Sequence, residues 1–228
     1  ATKGGGHGDY RTLVLAPGTC QECYDLVIEA FDLAFKYRNP VMILGDAIVG
    51  QMKEPVVTWT PEERNAEEGA EWRIEGAKGR DHRIIKSLFL TEGSLAGHNM
   101  ALQAKYDDMA KSTKQELFET EDAELIVVAY GSIGRIVKST VRKLRAQGHK
   151  VGLFRPITLY PFPSEELNKL AKQGKKFLTI EHNLGQMVED VRLSIRTVTD
   201  SDFFGFMPGN LPTPDDFEEP ILKSLGGK

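Results

Sequence analysis

The chain has 228 residues, 40% of them hydrophobic and 27% charged, which is ordinary composition for one large or two small globular domains. Its 29 basic and 33 acidic residues leave a formal charge of −4, with no dense basic run interleaved with aromatics, so the sequence argues against a nucleic-acid binder. The longest apolar run, Leu125 to Tyr130, is far short of the ~20 residues that span a bilayer, and the first 25 residues hold no basic-then-apolar signal pattern. A cytoplasmic protein without a membrane partner is the expectation.

The chain opens on a glycine-rich polar loop, Lys3-Gly4-Gly5-Gly6-His7-Gly8-Asp9-Tyr10, ahead of any strand. Loops of this kind join scaffold elements and carry functional groups, so the opening reads as the C-terminal piece of a longer chain. Leu13 to Ala16 reads as a buried strand. Thr19 then offers a helix cap, with Glu22 closing a capping box. The helix extends to about Tyr37, with Cys20, Cys23, Tyr24, Val27, Ala30, Phe31 and Ala34 expected along its buried stripe. After Asn39-Pro40, Val41 to Leu44 is a second strand ending in Gly45-Asp46. From Pro61 to Arg83, 12 of 23 residues are charged and no apolar stripe persists, which predicts an exposed connection. A helix marked by Leu95, Leu102, Tyr106 and Met109 follows, with Thr120 to Asp122 expected to end it.

A second cassette begins with a strand over Leu125 to Ala129. Ile133, Val137, Val141 and Leu144 stripe the next helix, which Gly148 stops, and Val151 to Phe154 is again a strand. Pro163-Ser164 starts a short helix, Phe177 to Ile180 is a strand, and Val188, Val191, Ile195 and Val198 stripe a last helix. The alternation predicts a parallel sheet with right-handed crossovers. The proline-bearing tail from Asp200 is expected to drape over the surface or a partner.

Three features bear on chemistry. In open parallel sheets, ligands gather at the carboxyl ends of the strands, which places Ser132, Arg155, Glu181 and His182 on one expected rim. Ser132 opens a helix whose free amides could hold an anion, while Arg155 and His182 add positive charge; structural capping and packing against another domain is the competing reading. Gly131-Ser132-Ile133-Gly134 is neither a dinucleotide fingerprint nor a P-loop. Cys20-x-x-Cys23 has the spacing of redox and metal sites, yet a four-ligand site needs further ligands and the chain has no other cysteine. Packed thiols and no metal are expected. In the opening loop, Gly4, Gly5 and Gly6 permit close backbone approach to a ligand, beside Lys3, His7 and Asp9; a flexible chain end is the alternative.

Taken together, Ala1 to Arg11, Val14-Leu15-Ala16-Pro17, Glu29 to Ala34, Lys36 to Val41, Gly50-Gln51-Met52, Ala77-Lys78-Gly79-Arg80, Arg155 to Pro163 and Glu181 to Met187 resemble the α subunit of 2-oxoacid:ferredoxin oxidoreductases. The branch acting on 2-oxoisovalerate is the nearer in appearance, with 2-oxoglutarate enzymes next. The resemblance implies an α/β fold in which residues 1–60 are the end of a thiamine pyrimidine-binding-type domain. Residues 61–122 are then a charged connector and helix, and residues 123–228 a parallel-sheet domain similar to the C-terminal domain of transketolase. It also implies thiamine diphosphate with magnesium, coenzyme A and iron–sulfur clusters in a complete complex with β- and γ-type subunits and ferredoxin as acceptor. The family's activating glutamate would lie upstream, so the piece alone is expected to bind none of these groups and to be inactive. The lipoamide-linked 2-oxoacid dehydrogenases, which should lack the opening loop, and a non-catalytic module binding an anion or partner are the alternatives.

Overall fold

A computed structural model describes residues 3–63 and 68–226; Ala1, Thr2 and part of the charged connection lie outside the described residues. The described chain builds two sheets. In the first, β1 (Leu13–Leu15) pairs in parallel with β2 (Val41–Ile43), and α1 (Cys20–Tyr37) makes the crossover between them. Thr19 caps α1 by accepting from the Glu22 N–H at 3.1 Å. The capping box stays half made, because the Glu22 carboxylate turns to the Gly18 N–H at 2.7 Å and to Arg155.

The buried face of α1 differs from the expected one. Leu26, Ala30 and Tyr37 are buried, whereas Val27 and Phe31 are exposed, Phe31 by 71%. Spacing alone admits either stripe, since Leu26-Ala30-Leu33-Tyr37 and Val27-Phe31-Ala34 lie about 100° apart on one helix. Contacts of Leu26 and Ala30 with Leu15, Val41 and Ile43 select the first. The two cysteines therefore sit half-buried at the start of the helix, and the Cys20 thiol donates to the Met52 carbonyl at 3.5 Å.

After α2 (Ala47–Gln51), the charged stretch forms no helix or strand among its described residues. Helix α3 (Ser94–Met109) ends earlier than expected, because β3 (Gln115–Phe118) intervenes. That strand joins the second sheet, of order β3-β5-β4-β7-β8, built with β4 (Leu125–Val128), β5 (Val151–Pro156), β7 (Lys176–Glu181) and β8 (Asp202–Gly205). β5, β4, β7 and β8 run parallel and β3 is antiparallel, so the sheet is parallel with one reversed edge. Helices α4 (Gly131–Ala146), α5 (Ser164–Lys172) and α6 (Met187–Ile195) alternate with its strands, and both faces are covered.

Two departures matter for the site. The tail is not draped. It supplies β8, and beyond a 3-10 turn at Pro214–Phe217 and α7 (Glu218–Leu225) it buries Phe217 and Ile221 completely in the core beside Val137 and Val141. Proline opens the 3-10 turn and continues into α7's first turn, where a missing N–H costs nothing. Second, β6 (Thr158–Tyr160) leaves the second half of the chain and pairs antiparallel with β1, which locks the two sheets together. Leu159 is buried there against Val14 and Ala16.

Candidate functional site

The strands β2, β4 and β7 end around one cleft of about 300 Å³ whose polar lining is Asp46, Tyr130, Glu181, His182, Asn183 and Gln186. Asp46 follows β2 and caps two helices at once. One carboxylate oxygen accepts from the Val49 N–H at 2.8 Å and the other from the Ser132 N–H at 3.3 Å, at the start of α4. Gly131 makes that approach feasible, because it turns the chain with φ of 58°, a conformation costly for other residues. Gly18 is held just as tightly: a Cβ there would lie 2.9 Å from the Gly131 carbonyl oxygen.

Glu181 closes the opposite wall as a cap for α6. Its carboxylate accepts from the backbone N–H groups of Met187 at 2.8 Å and Val188 at 2.9 Å, and from the Asn183 side chain at 3.0 Å. Its neighbour His182 has a buried Nε2 without a hydrogen-bond partner and packs its ring against Phe206, with centroids 5.6 Å apart. Burial, then the nearby Glu181 and Asp46 carboxylates, push the Tyr130 hydroxyl's pKa up and keep it protonated.

The expected rim thus divides. Glu181 and His182 line the cleft. Ser132 stands behind its wall, buried, with its hydroxyl unpartnered and its amide taken by Asp46. Arg155 points elsewhere. Its side chain is 7% exposed and its guanidinium is shared between Glu22, at 3.0 Å from Nη1, and Glu116, at 2.7 Å from Nε. An anion rim of Ser132, Arg155 and His182 is therefore replaced by a carboxylate-lined cleft on one side and a charge-paired arginine on the other.

The opening loop folds on itself. The Thr12 N–H reaches the Lys3 carbonyl at 3.2 Å, and Gly4 and Gly6 press on Tyr10, where a Cβ on Gly6 would fall 2.9 Å from the phenol oxygen. At Gly4 the neighbour is backbone, the Tyr10 carbonyl oxygen 3.0 Å from a Cβ, whereas at Gly6 it is the end of the exposed Tyr10 side chain, which can turn aside. Gly5 lies between them, and His7 and Asp9 are exposed. Lys3 binds Asp190 of α6 at 2.6 Å, which sets the loop beside a smaller hollow that shares Tyr130 and Gln186 with the main cleft. Sequence reasoning missed Asp46 and Tyr130, although both follow strand ends, where the general rule for parallel sheets would have pointed.

Two family descriptions divide the chain. "Pyruvate flavodoxin/ferredoxin oxidoreductase, thiamine diP-bdg" matches residues 6–121, and "Pyruvate:ferredoxin oxidoreductase core domain II" matches residues 123–217. The chain belongs to the 2-oxoacid:ferredoxin oxidoreductase family. It is 44% identical to the ketoisovalerate oxidoreductase subunit VorB of Methanothermobacter marburgensis, covering 92% of this chain and 59% of the relative. The VorB subunit of Methanothermobacter thermautotrophicus is 42% identical over 98% of this chain and 63% of its own length. The 2-oxoglutarate synthase subunit KorA of Methanocaldococcus jannaschii is 34% identical over 96% and 65%. This oxidoreductase chain therefore spans about three fifths of the length of the curated relatives it matches.

The solved 2-oxoglutarate:ferredoxin oxidoreductase from Magnetococcus marinus, with 2-oxoglutarate, coenzyme A and succinyl-CoA bound, shares the fold. It gives a TM-score of 0.76 at 21% identity, covering 98% of this chain and 44% of that one. A split gene transketolase, an inactive β4 tetramer, is more distant at 0.52 and 15%, covering 94% and 57%. The α/β class and the transketolase-like fold are thereby established. Among the described residues, none of the His, Cys, Asp and Glu side chains group in threes to hold a metal ion. The strand-end cleft presents carboxylates, not cations, and does not fit a diphosphate. No helix is long and apolar enough to cross a membrane among the described residues.

Proposed function

We propose that this chain works within the α-type subunit of an oxidoreductase that converts 2-oxoisovalerate and coenzyme A to the branched acyl-CoA and carbon dioxide, passing two electrons to ferredoxin. The observation that carries the substrate is the gap in identity: 44% and 42% to the two ketoisovalerate subunits, against 35% or less for the 2-oxoglutarate relatives. Thiamine diphosphate with magnesium, held by the assembled enzyme, supplies the carbon nucleophile and electron sink, and β- and γ-type subunits with iron–sulfur clusters carry the electrons onward. In this reading residues 1–60, 61–122 and 123–228 act as pyrimidine-side remnant, connector and transketolase-like unit. The strand-end cleft lies where β6 and the opening loop join the two sheets.

The test is kinetic. The purified complex, assayed with coenzyme A and ferredoxin, is expected to show a kcat/KM for 2-oxoisovalerate at least about tenfold above that for 2-oxoglutarate. The reverse order would move the chain to the 2-oxoglutarate branch, and activity with neither would favour a non-catalytic module. Lys3, Gly4, Gly5, Gly6, His7 and Asp9 are proposed as an active-site loop, because Lys3 anchors it on α6 while His7 and Asp9 remain exposed. His7→Ala in the fully loaded complex is expected to lower kcat by about tenfold, or ~1.4 kcal/mol in barrier, without changing subunit content. Unchanged turnover would reduce the loop to a connection.

A further inference from the structure

A second cleft of about 300 Å³ opens away from the strand-end site, between the start of α1, β3 and one flank of α4. Its charged lining is Arg135, Lys138, Arg142 and Arg155 against the single carboxylate of Glu116. The first three recur at i, i+3 and i+7 on α4 and so share a face, and like charges at such spacings repel. Three of the four are paired. Arg135 binds Glu54, Lys138 binds Glu116, and Arg155 at the floor is shared by Glu22 and Glu116.

Arg142 differs. No ion pair holds it among the described residues, and its guanidinium carbon lies 5.2 Å from the Phe118 ring centroid. The Lys138 ammonium lies 5.1 Å from that same ring, so one aromatic side chain packs against two neighbouring cations of the cleft's lining. Ser139 and Thr19 complete the wall with hydroxyl groups. The hollow is concave, positively charged and at the small end of ligand-site volumes.

From this convergence we propose that the cleft binds a phosphorylated small molecule, with the unpaired Arg142 as the principal contact to a phosphate or diphosphate group. Arginine supplies a planar fork matched to phosphate oxygens, while Arg135, Lys138 and Arg155, each paired with a carboxylate, contribute mainly field. Because the wall joins α1 to α4, an occupant would also brace the two sheets against each other.

Calorimetry of the full-length subunit with inorganic pyrophosphate, at low and raised salt, tests this with thermal denaturation alongside. Saturable, salt-sensitive binding that raises the Tm is expected. Arg142→Gln should weaken it by about tenfold or more and Arg142→Lys by less. Lys143→Gln removes the same charge from the neighbouring position, where the side chain pairs with Asp215 and Glu218, and should leave affinity unchanged. Absence of saturable binding, or equal weakening by Arg142→Gln and Lys143→Gln at unchanged Tm without ligand, would overturn the proposal. So would binding that the isolated subunit shows and the assembled complex lacks, because the cations would then face an acidic surface of a partner subunit.

Discussion

Arg155 serves the structure through each of its three nitrogens: it joins Glu22 of α1 to Glu116 of β3 from the end of β5. Arg155→Met would leave Glu22 without its cation and Glu116 with Lys138 alone, and because both carboxylates are a quarter exposed the loss is expected to be about 2–4 kcal/mol rather than the full buried-pair cost. Urea denaturation measures it; a loss below about 1 kcal/mol would mean that solvent replaces the pairing. The same region sets acid sensitivity. Burial pushes the Glu116 carboxyl up, but hydrogen bonds from Lys138 and Arg155 prevail and hold it below its ordinary value. The Arg135 hydrogen bond, then the Cys20 N–H, hold Glu54 at about 2. Both folded values are depressed, so their contribution is complete above the unfolded value and is lost as pH falls through the folded one. Glu54→Gln is therefore expected to flatten the decline in Tm between about pH 4.5 and about pH 2, and parallel acid curves for mutant and parent would contradict the pairing.

At the scale of elements, the tail is the instructive case. The tail from Asp200 carries four prolines and lacks the periodicity of a packed segment, yet Phe217 is fully buried, with its ring centroid 5.8 Å from that of Phe206 and 6.4 Å from that of Phe204. Phe217→Ala should cost about 3–5 kcal/mol, read from the urea midpoint, and a loss near zero would return the tail to the surface. The short strands β3 and β6 escaped sequence reading for a related reason. Four or three residues carry too little alternation to register, and both owe their state to partners far along the chain. The long elements α1 and α4 were legible because capping and helical spacing agreed, although only contact with Leu15, Val41 and Ile43 chose the buried stripe of α1.

For the whole molecule, β6 pairing with β1 and the ties of Arg155 and Asp46 across the junction join the two sheets, from which unfolding as one unit is expected. Trp59 and Trp72, the chain's two tryptophans, both precede the second sheet, so fluorescence reports the first part while far-UV circular dichroism reports mainly the helices of both. Coincident urea transitions from the two probes are expected; separated midpoints would show that the sheets unfold independently. The amino-acid order by itself determined the alternating α/β class, the principal helices and most long strands, and through motifs along nearly the whole chain the family, because these rest on local spacing and residue identity. Tertiary structure alone decided that Arg155 faces away from His182, that Asp46 reaches α4, and that four cations meet in one cleft. Those outcomes depend on which strand ends meet after crossovers, and on charge pairing between residues as distant as Glu22 and Arg155, which no local window contains.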